Sequence, residues 1–374
     1  MKRVVKSIYA PTRYVFVADR FSNFISVTDI VSGEHVETLN FSMRPHVMEL
    51  ARDDAMLAVG SPEVSAIEFM NLRTRERRRV ELPSPVFQIF FVPQTNLVAV
   101  GLRDQVGMIS YKDFTVRIFP RRFDSDQRQT LINTYYSLLF SSFSQSFWVL
   151  DEDRPFIYHR YGGAEPLDAP WKTIDLSRHI GSGSGLGIGV ASPEDDLLAM
   201  TTDDGSEGLV YFPAQDKVLS TGPMRTVGST NEPMIMPYID AYSKHVIFAD
   251  MEGNVALFDL VNGNGKPERF TVKFSPRFIR TGWLESTWIL AGDKGIMFQS
   301  FKDPSDRKVV RFVPEVMNMW VTGDSKTALY TLDEGAPTIY RFDIRTREQL
   351  PPIRVRGVTM ASMLRMGSNN SICY

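Results

Sequence analysis

The sequence has little cysteine and no long apolar run. Cys373 is the one cysteine in 374 residues, which excludes an intrachain disulfide and a cysteine-rich metal site. No stretch approaches the roughly 18 consecutive apolar residues of a transmembrane helix, and the basic N-terminal segment lacks the apolar core of a signal peptide. We therefore expect a chain without a transmembrane segment, located in the cytoplasm, although an exported chain that has lost its leader would look the same.

An excess of positive charge is missing as well. The formal net charge is −2, so the sequence gives no reason to expect the counterion-release binding that basic nucleic-acid proteins use. The most basic run, residues 73–79 (RTRERRR), is typical of a solvated hairpin edge. Nucleic acid is therefore not an expected partner.

What the sequence does contain is a repeat. Short β-branched and aromatic runs recur about every 40–50 residues, the length of one four-stranded propeller blade. The equivalent positions in these runs are Val17, Val59, Val100, Val149, Met200, Phe248, Leu290 and Tyr330. Each run follows one apolar segment and precedes a third segment and a fourth, more polar one, so every unit predicts four strands.

A polar turn recurs between the third and fourth predicted strands. It reads DIVSGE at 29–34, NLRTRE at 71–76, DLVNGN at 259–264 and DIRTRE at 343–348. Asp or Asn at its first position can accept hydrogen bonds from amides two residues on, and glycine or a small polar residue allows the tight bend. The recurrence therefore has a mechanical cause.

These patterns predict an all-β fold, a single β-propeller over residues 1–374 with about eight four-stranded blades, seven being the alternative. No sustained helical periodicity is present, so helices should be few. A propeller must join its first and last blades, so we expect the C-terminal segments 359–366 (TMASMLRM) and 370–374 (NSICY) to pair with the N-terminal blade. The longer loops 120–136 and 162–187 are candidate recognition loops.

The first unit of the repeat resembles a known family. Residues 13–41 (RYVFVADRFSNFISVTDIVSGEHVETLNF) resemble the YVTN-type repeat: a Tyr-Val-rich strand, an Asn-bearing turn, a strand ending in Asp and a Gly-containing turn. The resemblance implies the superfamily that includes YVTN propellers, the propeller subunit of quinohaemoprotein amine dehydrogenase and the haem d1-binding propeller of nitrite reductase. These proteins share a scaffold and not a chemistry, so the resemblance implies the fold more than an activity.

One histidine is a candidate cofactor ligand. His46 stands at the start of a predicted inner strand (RPHVMEL, 44–50), where the resemblance to the haem d1 propellers implies that an imidazole could ligate iron. The alternative is a polar residue at a strand entry that bonds a neighbouring loop. The other four histidines have no spacing that suggests a shared metal.

Charged residues recur on the connectors at one end of the predicted blades. Acids recur after the second strand of several units, and arginines on connectors of the same face could offset them, so this face could bind a basic partner or a cation. The candidate partner-binding residues are Arg20, Arg44, Arg103, Asp151, Asp153, Arg154, Asp203, Asp204, Asp250, Asp293, Asp333 and Glu334. The alternative is that these acids recur because they form the turns.

No motif points to catalysis. The sequence lacks G-x-S-x-G, and the glycines of 181–187 (GSGSGLG) lead into a strand instead of a helix, which is unlike a phosphate-binding loop. The leading hypothesis is a non-catalytic platform that binds a protein partner or is a subunit of a larger assembly. The alternatives are a redox-associated propeller that binds a haem-like cofactor or supports a quinone-bearing subunit, and a hydrolase-like propeller with a metal at its channel.

Overall fold

The structure is a computed structural model. It describes residues 13–19, 21–51, 56–93, 95–103, 105–119, 138–162, 169–180, 184–224, 234–312, 314–332, 337–358 and 363–365. The chain divides into two compact units. The first consists of Met1–Leu102, Ile109–Thr115 and Met317–Tyr374, and the second of Arg103–Met108 and Val116–Val316.

Eight four-stranded antiparallel sheets make up the described residues, and each is a blade of a β-propeller. Blade 1 contains β1 (Tyr14–Ala18), β2 (Phe24–Asp29), β3 (His35–Asn40) and β32 (Met363–Arg365). Blade 2 contains β4 (Val47–Leu50), β5 (Met56–Ser61), β6 (Val64–Asn71) and β7 (Arg77–Glu81). Blade 8 contains β28 (Val316–Val321), β29 (Thr327–Leu332), β30 (Thr338–Asp343) and β31 (Gln349–Arg354). Blade 3, with strands in both units, contains β8 (Val86–Phe91), β9 (Leu97–Leu102), β10 (Val106–Ser110) and β11 (Val116–Phe119).

The second unit holds blades 4 to 7. Blade 4 contains β12 (Leu138–Ser141), β13 (Ser146–Leu150), β14 (Phe156–Tyr161) and β15 (Lys172–Asp175). Blade 5 contains β16 (Leu186–Ala191), β17 (Leu198–Thr202), β18 (Gly208–Phe212) and β19 (Lys217–Ser220). Blade 6 contains β20 (Tyr238–Ile239), β21 (His245–Ala249), β22 (Asn254–Asp259) and β23 (Glu268–Thr271). Blade 7 contains β24 (Ser275–Gly282), β25 (Thr287–Asp293), β26 (Gly295–Ser300) and β27 (Arg307–Arg311).

The burial of the second strand of each blade explains why the apolar runs that predict it recur so clearly in the sequence. Strand β5 is buried along its whole length, as are β13 and β17, because both sheet faces are covered. The fourth strand lies at the sheet edge, and β7 exposes every residue except Val80. Charged side chains on such an edge discourage pairing with another chain.

The recurring polar turn has the predicted geometry. Asp29 Oδ1 accepts the Val31 amide at 2.9 Å, and Asn71 Oδ1 accepts the Arg73 amide at 2.8 Å. At the fifth position Gly33 has φ +73°, but Arg75 takes φ +66° at the equivalent place without being a glycine. The side-chain hydrogen bonds therefore hold the bend even where the residue type disfavours it.

The C-terminal strand completes the first blade, as predicted. Strand β32 pairs antiparallel with β1, with Phe16 opposite Arg365 and Ala18 opposite Met363. Residues 370–374 lie outside the described part. The predictions of eight blades and few helices are confirmed, since the described residues form eight four-stranded sheets and the only helix among them is the single turn α1 (Ser177–Ile180).

The two predicted loops differ in how much of them is described. Residues 120–136 lie outside the described part of the chain. Of the segment 162–187, residues 172–175 form the outer strand β15 and 177–180 form α1, while 163–168 and 181–183 are outside the described part. The role of both loops in recognising a partner remains a prediction.

Candidate functional site

Two sets of connectors in the second unit carry the side chains of interest. The inner turns join the first and second strands of a blade and comprise residues 142–145, 192–197, 240–244 and 283–286 in blades 4 to 7. The middle turns join the second and third strands and comprise 151–155, 203–207, 250–253 and 294. Because strands alternate in direction, the two sets lie at opposite ends of each sheet.

The middle turn of blade 4 contains a buried ion pair. The carboxylate of Asp151 is fully buried and accepts hydrogen bonds from Arg154 Nε at 3.0 Å, Tyr158 Oη at 2.7 Å and the Asp153 amide at 3.0 Å. Burial first, and then the neighbouring Asp151 carboxylate, raise the pKa of the Tyr158 hydroxyl. These three side chains therefore form one closed hydrogen-bonded group, with Asp153 exposed beside it.

The other predicted acids of the second unit also bond within their own blades. Asp250 Oδ1 accepts the Asn254 amide at 2.8 Å, and Asp204 Oδ1 accepts the Ser206 amide at 2.9 Å. Asp293, the last residue of β25, accepts Arg277 Nη2 at 2.8 Å. Asp203 is exposed, and its amide donates to the Gly185 carbonyl at 3.1 Å. Several of the recurring acids therefore stabilise turns, and their role in partner binding remains a prediction.

Blades 4 and 5 bring several carboxylates together at the middle-turn end. Burial first, and then the charges of Asp153, Asp151 and Asp203, raise the pKa of Glu152. Gly185 passes so close to this turn that a Cβ there would lie 1.7 Å from the Glu152 carbonyl oxygen. The glycine at this position is required by close backbone approach, which accounts for one glycine of the 181–187 run.

His46 lies in the first unit beside an exposed ion pair. Its amide donates to the Gly60 carbonyl at 3.0 Å, and its side chain is exposed at the entry to β4. Arg44 pairs with Glu63 on the turn between β5 and β6, with Nε 3.2 Å from Oε2, and this bond is the main cause that lowers the pKa of Glu63. The charge of His46 acts on the same carboxylate. The structure therefore brings His46 and Arg44 together around one acid.

The remaining predicted residues divide into two groups. Arg103 is exposed directly after β9. Arg20, Asp333 and Glu334 lie outside the described residues.

Among the residues that the structure describes, no three His, Cys, Asp or Glu side chains are grouped so that they could hold a metal ion. Within the same residues, no helix has the length and apolar character needed to cross a membrane.

Hydrogen bonds join the inner turns of blades 5 to 7, which sequence reasoning missed. Ser192 Oγ in blade 5 bonds Ser243 Oγ in blade 6, and the Ala241 amide in blade 6 donates to Glu285 Oε2 in blade 7 at 3.1 Å. Both serines are buried. These three turns are therefore fixed relative to one another.

Asp240 organises the inner turn of blade 6. It is buried, its Oδ1 accepts the amides of Lys244 at 2.6 Å and His245 at 3.0 Å, and its Oδ2 lies 2.9 Å from His245 Nδ1. The imidazole of His245 stacks on Phe301 of blade 7, with ring centroids 4.0 Å apart and an interplanar angle of 15°. One carboxylate thus holds the turn and orients a side chain that bridges to the next blade.

A second polar group holds the inner turn of blade 7. Thr281 Oγ1 donates to Glu285 Oε2 at 2.5 Å, and Tyr238 Oη lies 2.9 Å from Thr281 Oγ1. Burial is the largest influence on both ionisable groups and raises the pKa of Glu285 and of Tyr238. This carboxyl group therefore sits in an environment that disfavours its ionised form.

The same turn has an unusual backbone. Trp283, Leu284 and Glu285 have consecutive φ values of +51°, +56° and +60°. Left-handed backbone costs a residue with a side chain roughly 1–2 kcal/mol, so three in succession are rare. The bonds of Glu285 to Ala241 and Thr281 offset that cost from the buried side of the turn.

Large apolar side chains stand at the tips of the inner turns. Phe143 in blade 4 is 59% exposed, Tyr242 in blade 6 is 52% exposed and Leu284 in blade 7 is 72% exposed. Exposed apolar side chains scattered singly are ordinary, but three on corresponding turns of one unit form a pattern. No sequence signal marked them, because the inner turns differ in length and composition and the repeat pattern does not extend into them.

Blade 4 also contains a buried aromatic group near its inner-turn end. Trp148 and His159 are register partners on β13 and β14, and their rings lie 4.0 Å apart between centroids. Burial, with a smaller contribution from Lys172, lowers the pKa of His159 to about 4. Among the described residues, His159 Nε2 and Trp148 Nε1 are buried without a hydrogen-bond partner. The imidazole is therefore neutral at pH 7.

Comparison with known proteins supports the fold. No protein-family model matches the chain, and no curated protein is significantly similar to it in sequence. Among solved structures, dihydro-haem d1 dehydrogenase NirN in complex with DHE superposes with a TM-score of 0.71 at 13% identity, over 97% of this chain and 77% of that one. Apo AztD from Citrobacter koseri gives a TM-score of 0.58 at 10% identity, over 93% of this chain and 96% of that one.

A third structure agrees. A functionally unknown protein from Desulfotomaculum acetoxidans DSM 771 gives a TM-score of 0.56 at 9% identity, covering 95% of this chain and 99% of that one. At such identities a likeness shows the fold alone, and the fold is the predicted β-propeller. The chain therefore has the β-propeller fold, and a closer relationship to the YVTN or quinoprotein amine dehydrogenase propellers remains a prediction.

Proposed function

We propose that this protein is a non-catalytic β-propeller that binds a protein partner, as a platform or as a subunit of a larger assembly. The observation that carries the proposal is the set of exposed tips Phe143, Tyr242 and Leu284 on inner turns of one unit. Protein interfaces are built around large apolar side chains at their centre. The hydrogen bonds among the turns of blades 5 to 7 support the proposal, because a fixed surface loses little conformational entropy on binding.

The test is recovery of a partner from the native source. The full chain carries an affinity tag, is expressed at its natural level, and is compared with the triple variant Phe143→Ser, Tyr242→Ser, Leu284→Ser. A matched control replaces three exposed apolar residues elsewhere in the second unit: Met236→Ser, Val261→Ser, Val309→Ser. We expect a stoichiometric partner with the wild type and the control and its loss with the triple variant. A chain that purifies alone, or a partner retained by the triple variant, would overturn the proposal.

A second candidate function is binding of a haem-like tetrapyrrole. Its support is the likeness to NirN, solved in complex with DHE, over 97% of this chain, together with the exposed imidazole of His46. An exposed imidazole fits the role of an axial iron ligand, and the adjacent Arg44 could pair with a tetrapyrrole carboxylate in place of Glu63.

Haemin titration tests this second function. We expect a shift of the Soret band with the wild type that is lost in His46→Ala and kept in His179→Ala, a histidine of α1. An identical spectrum for wild type and His46→Ala would rule out His46 as the ligand.

A further inference from the structure

The inner turns of blades 5 to 7 form one surface with two kinds of exposed group. We call this the inner-turn surface, defined by Glu194, Asp195, Tyr242, Lys244 and Leu284, all exposed. Its continuity rests on the Ser192–Ser243 bond between blades 5 and 6 and the bond from Ala241 to Glu285 between blades 6 and 7. The turns that carry these side chains are therefore neighbours.

Leu284 is the most exposed large apolar residue on this surface. It occupies the middle of the three consecutive left-handed residues, a backbone that leucine disfavours. Glu285 holds the turn in this shape through its bonds to the Ala241 amide and Thr281 Oγ1. The half-buried carboxyl group of Glu285 thus stabilises a turn conformation that leaves the Leu284 side chain in solvent.

The turn of blade 5 supplies negative charge. Glu194 and Asp195 are exposed and Asp196 is half-buried, and burial followed by the charge of Asp195 raises the pKa of Asp196. The exposed cation on these three turns is Lys244, whose ammonium lies 5.4 Å from the centroid of the Tyr242 ring. The acids outnumber this single lysine, so the surface favours a positively charged partner.

We propose that the inner-turn surface binds a short segment of a partner protein in which Lys or Arg side chains alternate with large apolar ones. The basic groups would pair with Glu194 and Asp195, and the apolar groups would cover Tyr242 and Leu284. The proposal rests on the proposed function as a binding platform and adds the chemistry of the partner.

The test uses three labelled synthetic peptides of about a dozen residues, with the full chain as receptor. The first alternates Lys and Arg with Leu and Phe, the second replaces the basic residues by Glu, and the third replaces the apolar residues by Ser. Fluorescence anisotropy measures the affinity of each. We expect the first peptide to bind at least about tenfold more tightly than either of the others, and its affinity to fall as salt is raised.

Two receptor variants identify the surface. Leu284→Asp should weaken the first peptide by about tenfold or more, and Glu194→Lys with Asp195→Lys should shift the preference to the acidic peptide. Val309→Asp, at an exposed position on β27, should bind like the wild type. The charge variant keeps the proposal testable if Leu284→Asp disturbs the turn, because both acids are exposed.

Equal binding of the basic and acidic peptides, or unchanged affinity in both variants, would overturn the inference. If a stoichiometric partner is nevertheless recovered from the native source and lost in the triple variant, only the partner chemistry fails. If no partner is recovered, the proposed function itself fails.

Discussion

The middle turns and the inner turns of the second unit both contain carboxylates that hold the backbone, but only the inner turns also expose large apolar side chains. In the middle turns the carboxylates of Asp151, Asp204 and Asp250 accept hydrogen bonds from amides and side chains of their own blade. In the inner turns the carboxylates of Asp240 and Glu285 also face inward, but the tips beside them expose Tyr242 and Leu284. A residue type that recurs in every blade therefore tends to stabilise the blade. Side chains that bind a partner are more readily found in the turns whose sequences differ from blade to blade.

The largest expected effect tests the structural role of a middle turn. Asp151→Ala removes the buried acceptor shared by Arg154 and Tyr158, while the bond between those two side chains stays. We expect a loss of about 3–5 kcal/mol in the free energy of unfolding, measured by urea denaturation. Asp153→Ala, an exposed residue of the same turn, is the matched control and should change it by less than about 0.5 kcal/mol. Equal losses in the two variants would remove the distinction between turn former and surface residue.

Acid pH tests the other end of blade 4, where the buried imidazole must stay neutral. The pKa of His159 is about 4 in the folded state, below the unfolded value of about 6.5. A lowered folded pKa contributes stability that is present above pH 6.5 and is lost as the pH falls through about 4. We expect the wild type to lose about 2–3 kcal/mol from this group between pH 7 and pH 4.

The measurement compares urea unfolding of the wild type and His159→Phe over this range. Phenylalanine keeps an aromatic ring against Trp148 but does not titrate. The part of the fall in unfolding free energy that comes from His159 should therefore be absent in this variant. His46→Gln, at an exposed position, should keep the wild-type fall. A parallel fall in His159→Phe and the wild type would mean that other groups control the acid sensitivity.

A smaller effect of opposite sign is expected in the inner turn of blade 7. Leu284→Gly relieves the left-handed backbone at the cost of little buried area, because the side chain is mostly exposed. We expect a gain of about 0.5–1 kcal/mol in the free energy of unfolding together with weaker partner binding. Val309→Gly, an exposed position in the regular strand β27, should instead lose about 1 kcal/mol. A destabilised Leu284→Gly chain would show that the leucine stabilises the turn.

The smallest effect on stability belongs to Tyr242→Ala. This tyrosine is 52% exposed, so thermal unfolding should show a change within about 0.5 kcal/mol. Partner binding in the same preparation should fall. Loss of folding in this variant would place Tyr242 among the residues that stabilise the blade.

The fold could be predicted because its causes are local and repeated. Fully buried second strands such as β5 and β17 begin with short apolar runs, and the turn beginning at Asp29 or Asn71 requires a side-chain acceptor. The apolar runs recur in all eight units of the sequence, and the polar turn recurs in four of them. Arg75 nevertheless has a left-handed backbone conformation, so hydrogen bonds can fix this turn without the glycine that would have indicated it in the sequence.

The candidate site could be predicted only in part. The acids were found from their recurrence, and the pattern could not separate the buried Asp151 from the exposed Asp153 two residues later. The inner-turn surface was missed because it depends on contacts between blades, such as the bond from Ala241 to Glu285, which join residues 44 positions apart. Such pairs carry no local periodicity.

The pairing of β32 with β1 has a consequence for biosynthesis. Phe16 cannot pair with Arg365 until the ribosome has passed that far along the chain, so before then the first blade has three strands and an open backbone edge. A nascent or truncated chain that stops before Met363 keeps that edge unsatisfied, available to chaperones or to a neighbouring copy.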